Sequence, residues 1–90
     1  MQLARVRGTI TATAKAVELV GAKMLVCDLT DTQDNVLEPA CIAIDTVGAG
    51  EGDQVLVVRG SAARMALQAN VAPIDAAVIA IIDNVSVKQN

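Results

Sequence analysis

Residues 3–15, LARVRGTITATAK, alternate between small or apolar side chains and polar ones. The even positions hold Ala, Val, Gly or Ile, and the odd positions from Arg5 onward hold Arg, Thr or Lys. A period of two over this length is typical of a long β-strand with one buried face. Gly8 lies on the apolar face, where a glycine permits a bend or a close backbone approach. A long strand with an internal glycine is what a small closed barrel requires.

Further strands and one short helix follow from the pattern of apolar runs and turn residues. Ser61 is a plausible N-cap for a helix, AARMALQA, that ends near Asn70. The remaining predicted elements are a connection at 16–21 that contains Gly21, a polar turn at 31–35, and strands at 22–30, 40–47 (after Pro39), 53–60 and 76–88. The sequence therefore predicts one domain, residues 1–90, that is all-β with one short helix: a five-stranded antiparallel OB-like barrel.

The core of this barrel must form without aromatic side chains, because the chain has no Phe, Tyr or Trp. Val, Ile, Leu, Met and Ala have to fill it instead. The strands at 53–60 and 76–88 are apolar on both faces, whereas a strand of a small antiparallel barrel usually has one wet face. One short helix gives little cover for the outer side of two strands. We therefore expect the protein to bury this surface against copies of itself.

The glycine run at 47–52, VGAGEG, raises the question of a nucleotide site. A dinucleotide fingerprint needs G-x-G-x-x-G between a strand and a helix, and a P-loop needs G-x-x-x-x-G-K followed by Ser or Thr. Here the spacing is G-x-G-x-G, and the next element is a predicted strand, QVLVV. The pattern therefore favours a loop without side chains that lets another backbone approach closely. We expect no cofactor.

The composition argues against two common functions. The net charge is −3 and aromatic residues are absent, whereas binding of nucleic acid needs basic surface and commonly stacking platforms. The chain also has no histidine for acid–base or nucleophilic catalysis. Cys27 and Cys41 are expected to be small buried hydrophobes, with a disulfide or half of a metal site as the alternative. No secretory signal or membrane span is apparent, so the expected location is the cytoplasm.

The aspartates offer the remaining candidates for chemistry. Asp28, Asp31 and Asp34 recur at a spacing of three, which does not match a calcium loop, and they favour a solvated hairpin turn in which Asn35 adopts a positive φ. A second group is adjacent to apolar strands, and structural ion pairs with Arg59 or Arg64 are favoured over a catalytic dyad for its members, Asp45, Asp75 and Asp83.

Four segments of the chain together resemble one known family. They are MQLARVRGTITAT, LVGAKMLV, DTVGAGEGDQVLVVRGSAAR and PIDAAVIAIIDNV, and they occur in order over nearly the whole chain. The most specific pieces are VGAG-x-G at 47–52, G-S-x-A-R at 60–64 and P-x-D-A-A at 73–77. This ordered set resembles the EutN/CcmL family, the vertex proteins of bacterial microcompartments such as carboxysomes and ethanolamine-utilisation compartments. The turn at 31–35 departs from the family because it lacks a glycine.

The resemblance implies an OB-like barrel that assembles as a homopentamer and closes the corners of a polyhedral shell. It implies no catalytic role; the partners would be copies of the chain and hexameric shell proteins, and the shell would enclose enzymes. The predicted structural and interface residues are Gly48, Ala49, Gly50, Gly52, Gly60, Ser61, Arg64 and Asp75, with no catalytic, cofactor or metal residues. Two alternatives stay open: an OB-like binding module for a small ligand or nucleic acid, and an enzyme that uses carboxylates at a subunit interface.

Overall fold

The computed structural model of the chain describes residues 1–11, 23–66 and 76–87, with backbone alone for Arg64 and Ala66. Within these ranges the chain forms β1 (Gln2–Ile10), β2 (Met24–Thr30), β3 (Val36–Asp45), β4 (Gln54–Arg59), α1 (Ser61–Ala66) and β5 (Ala76–Ile81). The predicted 16–21 connection, residues 12–15 of the first predicted strand and the end of the predicted helix lie outside the described residues.

The strands close into a barrel in the order β1-β2-β3-β5-β4, which confirms the predicted OB-like fold. Four neighbouring pairs are antiparallel, and β3 pairs with β5 in parallel. The expectation of a purely antiparallel barrel is therefore wrong at one pair. The reason is topological, because strand direction cannot alternate all the way around a closed ring with an odd number of members.

The alternation predicted for the first strand holds in β1 only as far as Val6, because beyond the register shift Gly8 and Ile10 pair with the half-buried outer residues Val26 and Met24. Ala4 and Val6 are fully buried in the barrel, whereas Arg7 is exposed. The register with β2 shifts between Val6 and Gly8, so an irregularity of the ladder bends the strand at the glycine. A Cβ at Gly8 would have no heavy atom within 4 Å. Gly8 therefore lies at an irregularity of the β1–β2 ladder, and no described part of the same chain approaches it closely.

The strand β3 begins at Val36, earlier than the predicted start at residue 40. Its register with β2 is irregular after Cys27, and Ala40 has a φ of 58°. Such an irregularity tolerates the missing N–H of Pro39 within a strand, whereas a regular ladder does not. Proline was therefore an incorrect start signal in this case.

The strand β5 ends at Ile81, well before the predicted end at residue 88. The backbone N–H of Ile82 still donates to the carbonyl oxygen of Gln54, at 2.8 Å. Gln54 is the first residue of β4, so the partner strand ends there and residues 83–87 have no ladder to join. The apolar run of the sequence ends at Ile82, one residue beyond the end of β5.

The turn between β2 and β3 is built around Asp31. One oxygen of its carboxylate accepts hydrogen bonds from the backbone N–H groups of Gln33 and Asn35, and the other accepts from the Asn35 side chain. The residue with a positive φ is Asp34, at 66°, and the expectation for Asn35 was therefore wrong. Both residue types tolerate this conformation, which is why the sequence did not distinguish them.

The barrel interior contains only small and medium side chains. Its main cluster consists of Ala4, Val6, Leu25, Cys27, Leu29, Cys41, Ala43, Ala49, Val55, Val57, Ala76 and Val78. A second cluster lies outside the barrel wall, where Ala63 of α1 covers Val58 and Ala77, and Ile79 packs against them. The helix therefore covers part of the outer side of β4 and β5, as the two-sided apolar pattern requires.

Candidate subunit interface

The loop between β3 and β4, residues 46–53, is called the glycine loop below. Gly48 has a φ of 81° and Gly52 a φ of 89°, a region that residues with a Cβ rarely adopt. Gly50 has no positive φ, and a Cβ there would stand 4.0 Å from an oxygen of Asp53. The backbone conformation therefore requires glycine at positions 48 and 52. At Gly50 the absence of a side chain leaves space on the outside of the loop.

Asp45 fixes the first half of the glycine loop. One carboxylate oxygen accepts hydrogen bonds from the N–H groups of Val47 and Gly48, at 3.0 and 3.1 Å. The other oxygen lies 3.5 Å from the Lys23 ammonium, and the Asp45 side chain is only 1% exposed. Burial alone would raise the pKa of this carboxyl, but the loop N–H groups and Lys23 outweigh it and lower the pKa. Asp45 is therefore a charged structural group of the loop.

The second half of the loop is fixed to β1 and to itself. Gly50 N–H donates to the Asp53 carboxylate at 2.8 Å, and Gly52 N–H donates to the Val6 carbonyl at 2.9 Å. The N–H of Val6 donates in return to the Asp53 carbonyl at 2.9 Å, and Arg5 donates to the Gly52 carbonyl at 3.0 Å. These N–H groups bond to the protein itself, which is the opposite of an arrangement that holds a phosphate.

Ala49 differs from its glycine neighbours because its side chain is completely buried in the barrel core. Its carbonyl oxygen accepts a 2.7 Å hydrogen bond from Lys23. Val47, in contrast, is 40% exposed. Ala49 therefore anchors the loop from inside, and the outer surface of the loop consists of glycine backbone and the exposed residues Thr46, Val47 and Glu51.

Two other predicted residues form the junction between β4 and α1. Gly60 has a φ of 65°, and its carbonyl accepts a hydrogen bond from the N–H of Ala63 at 3.1 Å. Ser61 is the first residue of the helix and is exposed, one position later than an N-cap would lie. Arg64 lies in the helix, but its side chain is outside the described part of the structure, as is the whole of Asp75.

The outer side of the barrel has an apolar row that crosses three strands. Leu3 pairs with Leu56, and Leu56 pairs with Ala80, and all three are half-buried. This row is called the β4–β5 face. The face is next to the cluster that α1 covers. The described residues bury it less completely than they bury Val58 and Ala77 of that cluster. The prediction of incompletely covered outer surface on these strands is therefore consistent with the structure.

A second apolar row lies on another side of the barrel. Val26 pairs with both Gly8 and Ile42, and the neighbouring Met24 pairs with Ile44. Val26 and Met24 are half-buried, and Ile42 is 44% exposed. This row is called the β2–β3 face. This face was not predicted, because Val26 and Ile42 belong to no alternating apolar–polar pattern in the sequence and only the strand register brings them together.

An ion pair between the exposed Arg7 and the buried Asp28 borders the β2–β3 face. Arg7 donates a 2.6 Å hydrogen bond to Asp28, and the N–H of Ala40 donates to the other Asp28 oxygen at 3.0 Å. The hydrogen bond from Ala40 and then the Arg7 contact lower the pKa of Asp28. Asp28 was expected in a solvated turn, but it is buried and stabilises the irregular part of β3.

The ion pairs expected for the other aspartates differ from those in the structure. Asp45 pairs with Lys23, whereas Arg59 lies 3.2 Å from Glu38. Asp83 is exposed. For Asp45 the predicted partner was therefore wrong, whereas Asp75 and the side chain of Arg64 lie outside the described residues. Lys23 was missed because its role depends on the loop carbonyl, for which a single sequence carries no signal.

Neither a metal cluster nor a membrane helix is found in the described part of the chain. No group of three or more His, Cys, Asp or Glu side chains there is placed to bind a metal ion. No helix within residues 1–11, 23–66 and 76–87 has the length and apolar character needed to cross a membrane. The features that remain are a rigid glycine loop and two separate apolar faces on a small barrel.

These features define a barrel built for contacts between proteins. The family profile described as "Ethanolamine utilisation protein EutN/carboxysome" matches residues 1–83. The chain belongs to this family, as the ordered motifs predicted.

Individual relatives agree with the family match. The chain is similar to the carboxysome shell vertex protein CcmL of Thermosynechococcus vestitus, with 50% identity over 96% of this chain and 87% of the relative. It is 41% identical to the bacterial microcompartment shell vertex protein EutN of Salmonella typhimurium, over 94% of this chain and 86% of the relative. The GrpN pentameric microcompartment shell protein from Rhodospirillum rubrum has a similar structure, with a TM-score of 0.85, 37% identity and coverage of 99% of this chain and 100% of that one.

Proposed function

We propose that the chain is a structural shell protein of a bacterial microcompartment and that five copies form a ring at a vertex of the polyhedral shell. The observation that carries the proposal is the family membership together with a TM-score of 0.85 to a shell protein described as pentameric. Nearly the whole of both chains takes part in this similarity. A protein of this kind is located in the compartment shell.

A cyclic ring needs two different surfaces on each subunit, because one patch meets a different patch on the neighbour. The barrel offers two such surfaces in the β4–β5 face and the β2–β3 face. They lie on different sides of the closed strand order, since β2 and β3 are separated from β4 by β1 on one side and by β5 on the other. We assign the β4–β5 face of one copy to the contact with the β2–β3 face of the next.

The glycine loop supports this contact by its shape. Gly48, Gly50 and Gly52 present backbone without side chains, so a neighbouring copy can approach closely. Ala49 holds the loop from the core, and Asp45 holds its first half. The remaining predicted members of the interface are Gly60, Ser61, Arg64 and Asp75, near the start of α1 and of β5.

The ring would meet hexameric shell proteins around its outside. A flat hexagonal lattice cannot close into a polyhedron without pentagonal units at its corners, and a pentamer of this chain would supply them. The enzymes inside the compartment would then be enclosed without direct chemistry from this protein.

No catalytic role is part of the proposal. The two buried carboxylates, Asp28 and Asp45, each contact a cation, and each has a pKa below the ordinary value of 3.8. A general acid or base would need a pKa near the working pH. These carboxylates therefore have the properties of permanent structural anions.

The proposal is tested by the mass of the native assembly. Native mass spectrometry of the purified protein should give a pentamer, and co-expression with a hexameric shell protein should give closed particles by negative-stain electron microscopy. Omission of this chain should leave open sheets or tubes. A stable monomer, or closed particles that contain none of this chain, would contradict the proposal. A gel-shift titration at low salt with single-stranded DNA tests the binding-module alternative, and we expect no shift.

Substitutions at Gly50 test the interface assignment. Its φ is not positive, so Gly50→Ala should preserve both the fold and the pentamer, whereas Gly50→Glu should place a charge in the contact and disperse the ring. When both variants are measured as dilute monomers, they should have the same melting temperature. Pentamers of Gly50→Glu with unchanged stability would show that the glycine loop is not in the contact.

A further inference from the structure

The two cysteines of the chain lie directly opposite each other on neighbouring strands. Cys27 of β2 is paired in register with Cys41 of β3. Opposed residues of an antiparallel pair extend to the same side of the sheet, and both side chains belong to the barrel core cluster. Neither forms a disulfide in the structure, and Cys27 is also paired with Val6 of β1 on its other side.

The register also sets the distance between the two backbones. The N–H of Asp45 donates to the Lys23 carbonyl, so this pair occupies a hydrogen-bonded position of the ladder. Hydrogen-bonded positions recur at every second pair, which places Cys27 and Cys41 at one as well. The Cα atoms at such a position are about 5.5 Å apart, within the range of roughly 4.4–6.8 Å that disulfides span. The Cβ atoms of opposed residues are about 4.5–5.5 Å apart, and the hydrogen-bonded pairs have the wider separation. A disulfide needs about 3.5–4.5 Å, so it forms here when the two strands move slightly closer while the register stays the same.

The two thiols differ in how readily they react. Burial raises the pKa of Cys27 from 9.0 to about 11, and the neighbouring Cys41 contributes to the rise. Cys27 is completely buried, whereas Cys41 is 7% exposed. Cys41 is the more accessible of the two buried thiols, so it is the group that a small oxidant meets first.

We propose that Cys27 and Cys41 form a redox modification site, which hydrogen peroxide converts from two thiols into an intramolecular disulfide. The Cys41 thiolate attacks one peroxide oxygen, the O–O bond breaks, and the leaving hydroxide takes up a proton to give water and a Cys41 sulfenic acid. The Cys27 sulfur then attacks the sulfenic sulfur, and a second water leaves with the Cys27 proton. Two electrons pass from the thiols to the peroxide, and one S–S bond forms.

The disulfide would close a loop from Cys27 through the β2–β3 turn to Cys41. Such a link removes freedom from the unfolded chain and stabilises the fold by a margin that grows with the loop. The oxidised barrel should therefore melt at a higher temperature than the reduced one. This modification is independent of the proposed shell function, since it needs only one folded chain.

The test uses the full wild-type chain, reduced and then treated with hydrogen peroxide. Intact mass under denaturing, non-reducing conditions should fall by about 2 Da, the mass of two hydrogen atoms. Cleavage on the N-terminal side of aspartate separates the two cysteines at Asp28 and Asp34, so it should release one linked pair of peptides. The melting temperature should rise by about 10 °C and return on addition of dithiothreitol.

Single-cysteine variants provide the matched control. Cys27→Ala and Cys41→Ala should show neither the loss of 2 Da nor the reversible rise in melting temperature. The peptide map of the wild type does not depend on how well these variants fold. Wild-type protein that keeps both thiols through prolonged peroxide treatment, that acquires only sulfinic acid, or that links only between chains would overturn the proposal.

Discussion

The ammonium group of Lys23 lies 2.7 Å from the carbonyl oxygen of Ala49, and it also lies 3.5 Å from the buried carboxylate of Asp45. A residue just before β2 thus ties together the end of β3 and the middle of the glycine loop. Lys23 is half exposed, so its charge remains in contact with water while its donors hold the loop. The shape of the loop depends on this contact as well as on its glycines.

Replacement of Lys23 by Met should destabilise the barrel by about 1 kcal/mol, because the buried Asp45 carboxylate loses its cation and the Ala49 carbonyl loses a donor. Lys23→Arg retains the charge and should recover part of the loss. Urea unfolding of the two variants measures the difference. Equal midpoints for Lys23→Met and the wild type would show that the loop N–H groups alone suffice for Asp45.

The stability cost of an alanine in the glycine loop should depend on the backbone conformation of the glycine that it replaces. Gly48→Ala should cost about 1–2 kcal/mol, because φ is 81° there and a Cβ is unfavourable even though it would meet no atom within 4 Å. Gly50→Ala should be close to neutral, because its φ is not positive. Thermal unfolding of the two variants tests this order, and a reversed order would contradict it.

Stability should decline in acid. The folded-state pKa values of Asp28 and Asp45 lie below their ordinary value of 3.8, so each carboxylate contributes stability that is fully present above that value. The contribution is lost as pH falls through the lower, folded-state pKa. Asp28→Asn should therefore be less stable than the wild type at pH 7 and lose less on acidification, as urea titrations at several pH values would show. Parallel profiles would count against this assignment.

A charge on the β4–β5 face should prevent ring formation without unfolding the barrel. Leu56 is half-buried on the outside of β4, and Leu56→Glu should shift the native mass from pentamer to monomer. Val87 is 53% exposed and lies outside the strands, so Val87→Glu adds the same charge as a matched control and should leave the pentamer intact. If both variants assemble, the β4–β5 face is not a subunit contact.

The hydroxyl of Thr46 should matter for barrel closure. It donates to the Val78 carbonyl at 2.7 Å, and the Thr46 N–H reaches the same oxygen at 3.3 Å. Thr46→Val removes the hydroxyl and keeps the shape, so amide hydrogens of β5 should exchange several-fold faster. Thr46→Ser retains a hydroxyl and should exchange more like the wild type. Unchanged exchange in Thr46→Val would show that the hydroxyl does not hold the closure.

The number of strands and the barrel could be predicted because their signals are local. Alternation predicted β1, apolar runs predicted the other strands, and glycines and polar turn residues predicted the loops. The two boundary errors have one cause: Pro39 and the end of β5 are decided by the partner strand. A strand ends where its ladder ends, and no single segment carries that information.

The candidate interface was predictable only in part. Gly48 and Gly52 stood out because their residue type reports a backbone conformation. Lys23, Val26 and Ile42 did not, because their roles come from register and from a carbonyl group distant in sequence. The same holds for the pairing of Cys27 with Cys41, which is visible only once β2 and β3 are aligned.

The parallel contact between β3 and β5 has a mechanical consequence for the barrel. Among the described residues, only Ile44 and Asp45 of β3 are paired there, with Ala77 and Val78, and Thr46 adds the bonds to Val78. Every other neighbouring pair of strands is joined over a longer stretch. Thermal fluctuations that open the barrel should therefore begin between β3 and β5. Cys41 lies on β3, one of these two strands. Local opening between β3 and β5 would let small molecules reach the core while the other strand pairs remain hydrogen-bonded.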